Sequence, residues 1–350
     1  MKIIVTGSSG LIGSEAVLHF ARAGHIVYGI DNNMRQQFFG PDGNTAPVLA
    51  MLREQAPCFV HLDEDIRDRA AMLRIVSDVR PDAIIHCAAQ PSHDLAARVP
   101  FEDFDTNAGG TLNLLEATRR GAPEAVFVFM STNKVYGDGP NHVGLVEHEK
   151  RWDFADPAYA HGIAETFSID NCLHSLFGAS KVAADVMCQE YGRYFGLRTG
   201  VFRGGCLTGV NHAAAELHGY LAYLFKAAAE HRTYTVFGYQ GKQVRDQIHS
   251  QDVVRAFELF IENPRPGEVY NLGGGKANSV SILESIDRIE QSLGVRLDYR
   301  YSETNRIGDH ICYYSDLRKL QAHYPSFQIT RTIDDIFEEF SRSMRQRLAS

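Results

Sequence analysis

The stretch TGSSGLIG, residues 6–13, is the feature that most constrains how this chain can fold. It follows a short apolar segment and precedes a segment with helical periodicity, so it connects a strand to a helix. Glycines permit a tight turn and let a ligand approach the backbone closely, and the free N–H groups at the start of a helix attract an anion. The sequence therefore predicts a strand–turn–helix unit that binds the pyrophosphate of a dinucleotide. The predicted contacts in this turn are Gly7, Gly10, Leu11, Ile12 and Gly13.

Asp31 indicates which dinucleotide is bound. It ends the second predicted strand, about 20 residues after the glycine turn. A carboxylate at that position accepts hydrogen bonds from both hydroxyls of an adenosine ribose, and it repels a 2′-phosphate. NAD is therefore the favoured cofactor, and NADP is disfavoured.

Strand-like and helix-like segments alternate through residues 2–202. This alternation is typical of βα units and predicts an α/β fold, a doubly wound parallel sheet of the Rossmann type with helices on both faces. The predicted strands are residues 2–6, 26–31, 58–62, 83–87, 125–131 and 197–202, and the predicted helices are residues 11–23, 70–79, 101–120 and 178–195. Between them, residues 34–57 are predicted to form a loop with one short helix, and residues 139–171 a long irregular surface segment.

The pattern loosens after residue 204. Later predicted elements are helices at residues 213–230, 281–293 and 333–347 and strands at 234–237 and 269–272. We expect a large cofactor-binding domain and a smaller α/β lobe that binds the substrate. The predicted bounds are residues 1–203, completed by 236–273, for the first, and residues 204–235 and 274–350, interleaved with it, for the second.

Composition excludes some classes of function. A net charge of −8 argues against a general nucleic-acid-binding protein, which would carry a basic excess. The N-terminal residues lack the pattern of a secretory signal and no apolar run reaches the length of a membrane span, so no membrane partner is expected. The six cysteines are scattered without a C-x-x-C pair, which favours reduced thiols in a cytoplasmic protein over disulfides or a zinc site.

Further motifs give the chain a resemblance to a known family. They are DI at residues 65–66, HCAA at 86–89, Asn107 followed by GTLNLL at 110–115, STNKVYGD at 131–138, GKQVRD at 241–246 and RIGD at 306–309. Together with the TGxxGxxG spacing, they resemble the extended short-chain dehydrogenase/reductase family that modifies nucleotide sugars, and most closely its CDP-paratose (CDP-tyvelose) 2-epimerases. The resemblance implies an enzyme that binds a nucleotide-sugar substrate and oxidises and then re-reduces its hexose by means of NAD.

The resemblance also implies roles for individual residues. Besides Asp31 and the glycine turn, the implied cofactor contacts are Asn32, Asp65, Ile66, Ala88, Ala89, Gln90, Asn107 and Lys181. The implied substrate contacts are Ser92, His93, Thr132, Arg203, Cys206, Arg245, Arg306 and Asp309. The implied catalytic group is Thr132, Asn133, Tyr136 and Lys181, together with position 177. In this family two helices pair across a homodimer, and here these would be residues 101–120 and 178–195.

Phe177 departs from the family pattern. The family has a tyrosine four residues before the lysine, and this tyrosine takes the proton of the sugar hydroxyl. In HSLFGASK, residues 174–181, the lysine is Lys181, but residue 177 is a phenylalanine, which neither accepts nor donates a proton. General acid–base catalysis contributes about 10²–10⁴-fold to a rate, so its loss requires an explanation.

Three alternatives remain open from the sequence. Phe177 is an engineered substitution in an otherwise normal epimerase, or it is natural and another group moves the proton. The candidate groups are Tyr136, His174, Glu165, Asp94 and Lys134. In the third alternative the chain performs no redox step and is a pyranose–furanose mutase, with Mg²⁺ or Mn²⁺ as a cofactor, or only binds the nucleotide sugar. No ligand spacing such as H-x-x-x-H predicts a dedicated metal site.

Overall fold

The glycine turn connects the first strand to the first helix in a computed structural model that describes residues 1–209, 219–305 and 308–349. The strands in chain order are β1 Lys2–Thr6, β2 Ile26–Ile30, β3 Phe59–Leu62, β4 Ala83–His86, β5 Val126–Thr132, β6 Leu145–Glu147, β7 Trp152–Phe154, β8 Arg198–Gly204, β9 Cys206–Thr208, β10 Tyr234–Phe237, β11 Val244–His249, β12 Glu268–Leu272, β13 Ser279–Ser281, β14 Tyr299–Ser302 and β15 Cys312–Tyr313. The α-helices are α1 Leu11–Arg22, α2 Met34–Phe39, α3 Ala46–Gln55, α4 Arg69–Val79, α5 His93–Ala96, α6 Pro100–Phe104, α7 Gly110–Gly121, α8 Ser175–Phe195, α9 Tyr220–Ala229, α10 Ser250–Glu262, α11 Ile282–Leu293, α12 Arg318–His323 and α13 Ile333–Ala349.

Seven of the described strands form the central sheet, in the order β12-β8-β5-β4-β1-β2-β3. The pairs β1–β2, β2–β3, β1–β4 and β4–β5 are all parallel. The chain adds β2 and β3 on one side of β1 and then continues with β4 on the other side. This reversal of strand order leaves a crevice at the carboxyl ends of β1 and β4, the usual ligand position in such sheets. The predicted doubly wound Rossmann fold is therefore confirmed.

The sheet forms because its strands are almost wholly apolar and are covered by helices. Ile3, Ile4 and Val5 of β1 have no exposed surface, as expected for a parallel strand buried on both faces. Helices α4 and α7 pack together on one face, where Met72 and Leu114 join the core. This rigid base holds the strand ends from which the site residues project.

The chain divides into two compact units. Unit 1 consists of Met1–Val135, Leu176–Arg203 and Val253–Tyr270, and unit 2 of Tyr136–Ser175, Gly204–Asp252 and Asn271–Ser350. In unit 2, β10 pairs with β14, β6 forms a hairpin with β7, and β11 pairs with β9, β13 and β15. Its core lies between α9, α11 and α13. The assignment of the cofactor to one domain and the substrate to the other remains a prediction.

Some predicted elements were wrong in kind. Residues 34–57 contain two helices, α2 and α3, and a 3₁₀ turn, because Pro41 and Pro47 occupy first-turn positions where proline is compatible with a helix. Residues 139–171 include the hairpin of β6 and β7. The helices α10 and α12 were not predicted. Residues 213–218 of the predicted helix 213–230 lie outside the described residues, and α9 accounts for its second half.

The predicted helix 101–120 is two helices joined by a π-helical turn. Helix α6 leads into the π-turn Asp105–Gly109, and α7 follows directly. Such single-turn insertions are frequent at functional sites, and this one contains Asn107. In the described part of the chain, no helix has the length and apolar character needed to cross a membrane.

Candidate functional site

The glycine turn is shaped by two close backbone contacts that only glycine allows. Gly7 has φ of +66°, and a Cβ placed on it would lie 2.8 Å from the backbone nitrogen of Ala88. A Cβ on Gly13 would lie 2.0 Å from the carbonyl oxygen of Gly7. Side chains at these positions would force the turn open, so both glycines are required by the geometry.

The same turn is equipped to bind an anion. Helix α1 begins after Gly10 without a side-chain cap from the described residues, which leaves the N–H groups of Leu11 and Ile12 at an open helix N-terminus. The buried hydroxyls of Ser8 and Ser9 have no hydrogen-bond partner among the described residues. Buried polar groups normally have partners, and a bound pyrophosphate would supply them. The residues of the turn therefore fit the phosphates of NAD.

The carboxylate predicted to bind the adenosine ribose lies beside this turn. Asp31 accepts hydrogen bonds from the backbone N–H of Ser9 at 2.9 Å and of Asn33 at 2.8 Å. These bonds fix its carboxylate at the end of β2. The side chain of Asn32 donates to Asp65 at 3.3 Å, which brings the ends of β2 and β3 together. The structure thus groups three of the predicted cofactor residues.

Asp65 and Ile66 occupy different environments. Burial raises the pKa of Asp65, but hydrogen bonds from Arg67 outweigh burial and hold that pKa below its usual value. Ile66 is buried, and its side chain fills the space beside Gly110 of α7. Asp65 is therefore a half-buried anion near the end of β2, whereas Ile66 is an apolar side chain that packs against α7.

The end of β4 is held by a buried histidine. His86 bonds through its two ring nitrogens to the hydroxyls of Thr6 at 2.7 Å and Thr111 at 2.9 Å, and burial lowers its pKa to about 3. The neutral ring connects β1, β4 and α7. Ala88 and Ala89, which follow β4, are only half-buried, as a cofactor-contacting segment requires.

Asn107 is the centre of a buried hydrogen-bond network. Its side chain donates to the carbonyl of Gln90, to Asp103 and to Ser180, at 3.1, 3.1 and 3.0 Å, and accepts from the backbone N–H of Gln90. The side chain of Gln90 in turn bonds to Asp103 and to the backbone of Ser92. Gln90, Asn107 and Ser92, all predicted ligand contacts, therefore hold the loop after β4 against α8.

Lys181 and Thr132 lie at the end of β5. The ammonium of Lys181 donates to the carbonyl of Met130 at 2.9 Å, and burial lowers its pKa to about 8. Two residues further along the strand, the hydroxyl of Thr132 accepts from the N–H of Lys134 at 3.2 Å. Asn133 is buried next to it. A buried ammonium is thus bonded to the strand two residues before the hydroxyl predicted to hold the sugar.

Arg203 has a partner inside unit 1. Its guanidinium makes two bonds of 3.0 Å with the carboxylate of Asp185, which also accepts from the hydroxyl of Ser131 at 2.6 Å. Asp185 lies one helical turn after Lys181, so this ion pair fixes α8 against β5 and β8. The predicted contact of Arg203 with substrate remains a prediction.

Phe177 lies on α8, one helical turn before Lys181. Its ring is buried, with 7% of its surface exposed. The imidazole of His93 packs against this ring, with ring centroids 4.9 Å apart at an interplanar angle of 49°. The structure therefore places a predicted substrate contact, His93, directly beside the predicted catalytic position.

The residues of unit 2 that were considered for moving the proton each contact another residue of unit 2. The hydroxyl of Tyr136 is fully buried and donates to Asn271 at 2.7 Å. Glu165 accepts from the backbone N–H of Asn271 at 2.7 Å, and burial raises its pKa. The ring of His174 lies 3.5 Å from the sulfur of Cys172. The catalytic role predicted for Tyr136 has no support from this geometry.

Arg245 of unit 2 is buried and paired. Its guanidinium donates to the carboxylate of Asp309 at 2.7 Å and to the carbonyl of Val244 at 2.7 Å. The amide of Asn141 bonds to the carbonyl of Asp309 at 2.8 Å. Burial opposes the charged form, but Asp309 outweighs it and raises the pKa of Arg245. Arg306, the second predicted guanidinium, lies outside the described residues.

Cys206 lies on β9, opposite Gln247 of β11. The side-chain amide of Gln247 donates to the hydroxyl of Tyr220 at 2.8 Å, and Arg245 precedes it on the same strand. The thiol of Cys206 is half-buried. Within the described ranges, no group of three or more His, Cys, Asp or Glu side chains is arranged to hold a metal ion.

Several residues that organise the site were not predicted from the sequence. Asp103, Ser180 and Asp185 act through buried hydrogen bonds with segments far away in the chain. One signal was available for Asp185, since it lies four residues after Lys181 and therefore on the same helical face. Asp103 and Ser180 carry no local signal of this kind.

Comparisons with known proteins agree with these observations. Residues 3–273 match the model of the NAD dependent epimerase/dehydratase family. CDP-paratose 2-epimerase of Salmonella typhi is 31% identical, over 91% of this chain and 92% of the relative. The crystal structure of UDP-glucose 4-epimerase from Thermotoga maritima with UDP-glucose is 25% identical, with a TM-score of 0.80 over 99% of this chain and 100% of that one. The UDP-glucose 4-epimerase of Thermus thermophilus in complex with NAD is also 25% identical, with a TM-score of 0.77 over 99% of each chain.

These similarities confirm the predictions of the family, of an enzyme and of NAD as the cofactor. The family match covers more than half of the chain and includes the glycine turn, Asp31, Lys181 and Arg245. The chain belongs to the NAD dependent epimerase/dehydratase family.

Proposed function

We propose that this chain is an epimerase or isomerase of a nucleoside diphosphate hexose that acts by transient oxidation and re-reduction of the sugar. The observation that carries the proposal is the position of Lys181, whose buried ammonium bonds to β5 two residues before Thr132. This arrangement belongs to the same unit as the glycine turn and Asp31. Similarity to a CDP-paratose 2-epimerase and to UDP-glucose 4-epimerases supports the class of substrate.

In this proposal the residues of unit 1 hold NAD and orient the sugar. The N–H groups of Leu11 and Ile12 bind the pyrophosphate, Asp31 binds the adenosine ribose, and Lys181 binds the nicotinamide ribose. Bound NAD supplies the acceptor and donor of hydride. Thr132 holds the reacting hydroxyl of the sugar by a hydrogen bond.

Arg245 is the proposed diphosphate contact of unit 2. A guanidinium binds phosphate oxygens in a fork, and its pairing with Asp309 holds it in a defined orientation. Cys206 lies near Arg245 and is the proposed contact of the nucleotide. Arg203 and Ser92 remain predicted substrate contacts, although both make buried hydrogen bonds within unit 1.

Phe177 favours a second candidate function. Without a phenol at this position, the nucleotide-sugar contacts proposed above would serve a non-redox pyranose–furanose mutase, with Mg²⁺ or Mn²⁺ bound to the diphosphate. A protein that binds the nucleotide sugar without converting it would also tolerate phenylalanine. The mutase differs from the epimerase because its turnover does not require NAD, and the binding protein differs from both because it shows no turnover.

The test is a panel of CDP-, UDP-, GDP- and dTDP-hexoses incubated with the protein and followed by NMR. We expect isomer formation from one of them and loss of turnover when NAD is removed. Turnover that survives NAD removal and depends on a divalent cation would establish the mutase. Binding of a nucleotide sugar without any conversion would establish the third alternative and contradict the epimerase.

A glycine pair tests the cofactor part of the proposal. Gly13→Ala should abolish NAD binding, because its Cβ would lie 2.0 Å from the carbonyl oxygen of Gly7. Gly109→Ala is the matched control, since its Cβ meets nothing closer than 3.9 Å and its φ of −62° is helical. Calorimetry with NAD measures both variants. Equal affinity for NAD in the two would contradict the assignment of the turn.

We also propose a homodimer and a cytoplasmic location. Six large apolar side chains of α6 and α8 are exposed, and they are Phe101, Phe104, Leu176, Val186, Tyr194 and Phe195. Light scattering should show a dimer at micromolar concentration, and a monomer would contradict the pairing of these helices. None of the six cysteines forms a disulfide, which supports a reducing compartment.

A further inference from the structure

The contact between His93 and Phe177 has a consequence for the proposed reaction. Phe177 cannot move a proton, and the aromatic side chain packed against its buried ring is an imidazole. We infer that His93 is the catalytic acid–base group of this chain, in place of a phenol at position 177. The inference rests on the proposed epimerase function.

His93 is held in place by the segment that precedes it. The side-chain amide of Gln90 donates to the carbonyl of Ser92 at 2.9 Å, and its oxygen accepts from the N–H of Ser92 at 2.6 Å. The hydroxyl of Ser92 accepts from the N–H of Leu95 at 3.2 Å and so caps α5, which begins at His93. The backbone on both sides of the imidazole is therefore fixed.

The same network fixes His93 relative to α8. Asn107 bonds to Gln90 and to the hydroxyl of Ser180, and the hydroxyl of Ser180 donates to the carbonyl of Phe177 at 3.0 Å. His93 and Phe177 are thus connected through a short series of buried hydrogen bonds within unit 1. A catalytic group needs such support, because small displacements reduce the rate strongly.

An imidazole has the chemistry that the step requires. When the sugar hydroxyl is oxidised, its proton passes to the unprotonated nitrogen of His93, and the two electrons of the C–H bond leave with hydrogen as hydride to the nicotinamide cofactor. On re-reduction the proton returns from the imidazolium to the carbonyl oxygen as hydride returns to carbon. Atoms and electrons balance without any other reactant. Histidine carries out such proton transfers near neutral pH without special tuning.

The other candidates are less suitable. Tyr136 and Glu165 are both engaged by Asn271 in unit 2, and a lysine ammonium such as that of Lys134 donates protons but does not accept them. His174 belongs to unit 2, where its ring lies 3.5 Å from the sulfur of Cys172. Asp94 is the remaining competitor in unit 1, and it follows His93 in the chain. The experiment therefore has to separate His93 from Asp94.

Four variants make the test: His93→Gln, Asp94→Asn, Phe177→Tyr and the double variant of His93→Gln with Phe177→Tyr. The substrate is the nucleotide sugar converted in the panel, with kcat from NMR and affinity from calorimetry. His93→Gln should lower kcat by about 10²–10⁴-fold while affinity changes by less than about threefold. The double variant should recover at least about tenfold of that loss, because a phenol again stands at position 177. His61→Gln is the matched control, since His61 also packs against a phenylalanine, Phe59, and should leave kcat unchanged at saturating NAD.

A spectroscopic readout does not depend on turnover. Imidazole ¹⁵N signals that disappear in His93→Gln should shift when the nucleotide sugar binds to the wild-type protein. If kcat of His93→Gln stays within about threefold of wild type, or if Asp94→Asn alone loses activity, His93 is not the acid–base group. If kcat and affinity fall together and the double variant recovers nothing, His93 only positions the loop. If the wild-type protein converts none of the nucleotide sugars, the proposed function fails first and this inference fails with it.

Discussion

Lys181 of unit 1 and Arg245 of unit 2 are two buried cations of the candidate site, and their pKa values are shifted in opposite directions. Lys181 of unit 1 bonds to a backbone carbonyl, and burial lowers its pKa to about 8. Arg245 of unit 2 is just as enclosed, but the carboxylate of Asp309 lies 2.7 Å away, and the pKa of Arg245 is raised. Burial alone weakens a charge, and a carboxylate partner more than offsets that effect.

The difference bears on how each unit receives an anion. In the proposed function, the glycine turn and Lys181 of unit 1 bind NAD without breaking an ion pair with a carboxylate. In unit 2 a diphosphate that binds Arg245 competes with Asp309. This difference is consistent with the proposal that unit 1 holds NAD and that unit 2 binds a substrate that is later released.

The largest predicted effect concerns the stability cost of the buried Lys181. The pKa is 10.5 in the unfolded chain and about 8 in the folded one, so between these values the unfolded chain binds more protons and stability rises with pH. Below about pH 8 both states are protonated, and the full penalty of roughly 3 kcal/mol remains. Lys181→Met lacks this dependence, so its stability advantage over wild type should shrink as pH rises from 8 to 10.5. Urea unfolding of both proteins across this range measures it.

Lys2→Met is the control for that experiment. The ammonium of Lys2 also donates to a single backbone carbonyl, that of Val79 at 3.1 Å, but the residue is exposed. This variant shows how the loss of an exposed lysine affects stability across the same pH range. A constant difference for Lys181→Met would mean that Lys181 carries no burial penalty, and the contrast with Arg245 would disappear.

Lys181 and Arg203 show how much of the candidate site could be predicted from the sequence. The glycine turn was predicted from its position between a strand and a helix, whereas Lys181 was implied by the family resemblance. Arg203 was expected to bind substrate, but its partner Asp185 comes from a different element, and no local pattern reveals that pairing. The network around Asn107 was hidden for the same reason.

Unit 2 was less predictable in its fold as well. Strands such as β9, β13 and β15 have two or three residues, too few to show an alternating pattern. They are held by pairing with β11, a long-range contact. In unit 1, residues 34–57 were predicted to form a loop with one short helix, although Pro41 and Pro47 stand in first helical turns, where proline is tolerated.

The predicted effect of intermediate size comes from Asp309→Asn, which removes the carboxylate partner of Arg245. In Asp309→Asn the guanidinium keeps its position beside an amide of the same shape, but no carboxylate competes with a guest diphosphate. We expect CDP and UDP to bind about tenfold more tightly, which corresponds to about 1.4 kcal/mol. Calorimetry with both nucleotides measures the change.

The matched control is Asp316→Asn. Asp316 also pairs with an arginine of unit 2, Arg318, whose side chain is 62% exposed. Its loss should leave nucleotide affinity unchanged. Weaker binding in Asp309→Asn would show that Asp309 itself contacts the ligand and that the competition described for unit 2 does not exist.

The smallest predicted effect gives a reference without any buried charge. Helix α11 begins with a capping box, in which the hydroxyl of Ser281 accepts from the N–H of Glu284 and the carboxylate of Glu284 accepts from the N–H of Ser281. Ser281→Ala should cost about 1 kcal/mol, as measured by urea unfolding. Because the cap of Ser281 is an uncharged hydroxyl, this cost should be the same at pH 7 and pH 9, unlike the effect of Lys181→Met.

Glu284→Gln separates the cap from the charge. A glutamine preserves the reciprocal hydrogen bonds of a capping box but removes the ion pair with Arg151. In this pair the guanidinium nitrogen of Arg151 lies 3.4 Å from a carboxylate oxygen of Glu284. A half-exposed pair of this kind contributes at most about 1 kcal/mol, so this variant should stay close to wild type. If Glu284→Gln lowers the free energy of unfolding as much as Ser281→Ala does, the ion pair with Arg151 also stabilises unit 2. The comparison of the two units would then have to include such ion pairs and not only Lys181 and Arg245.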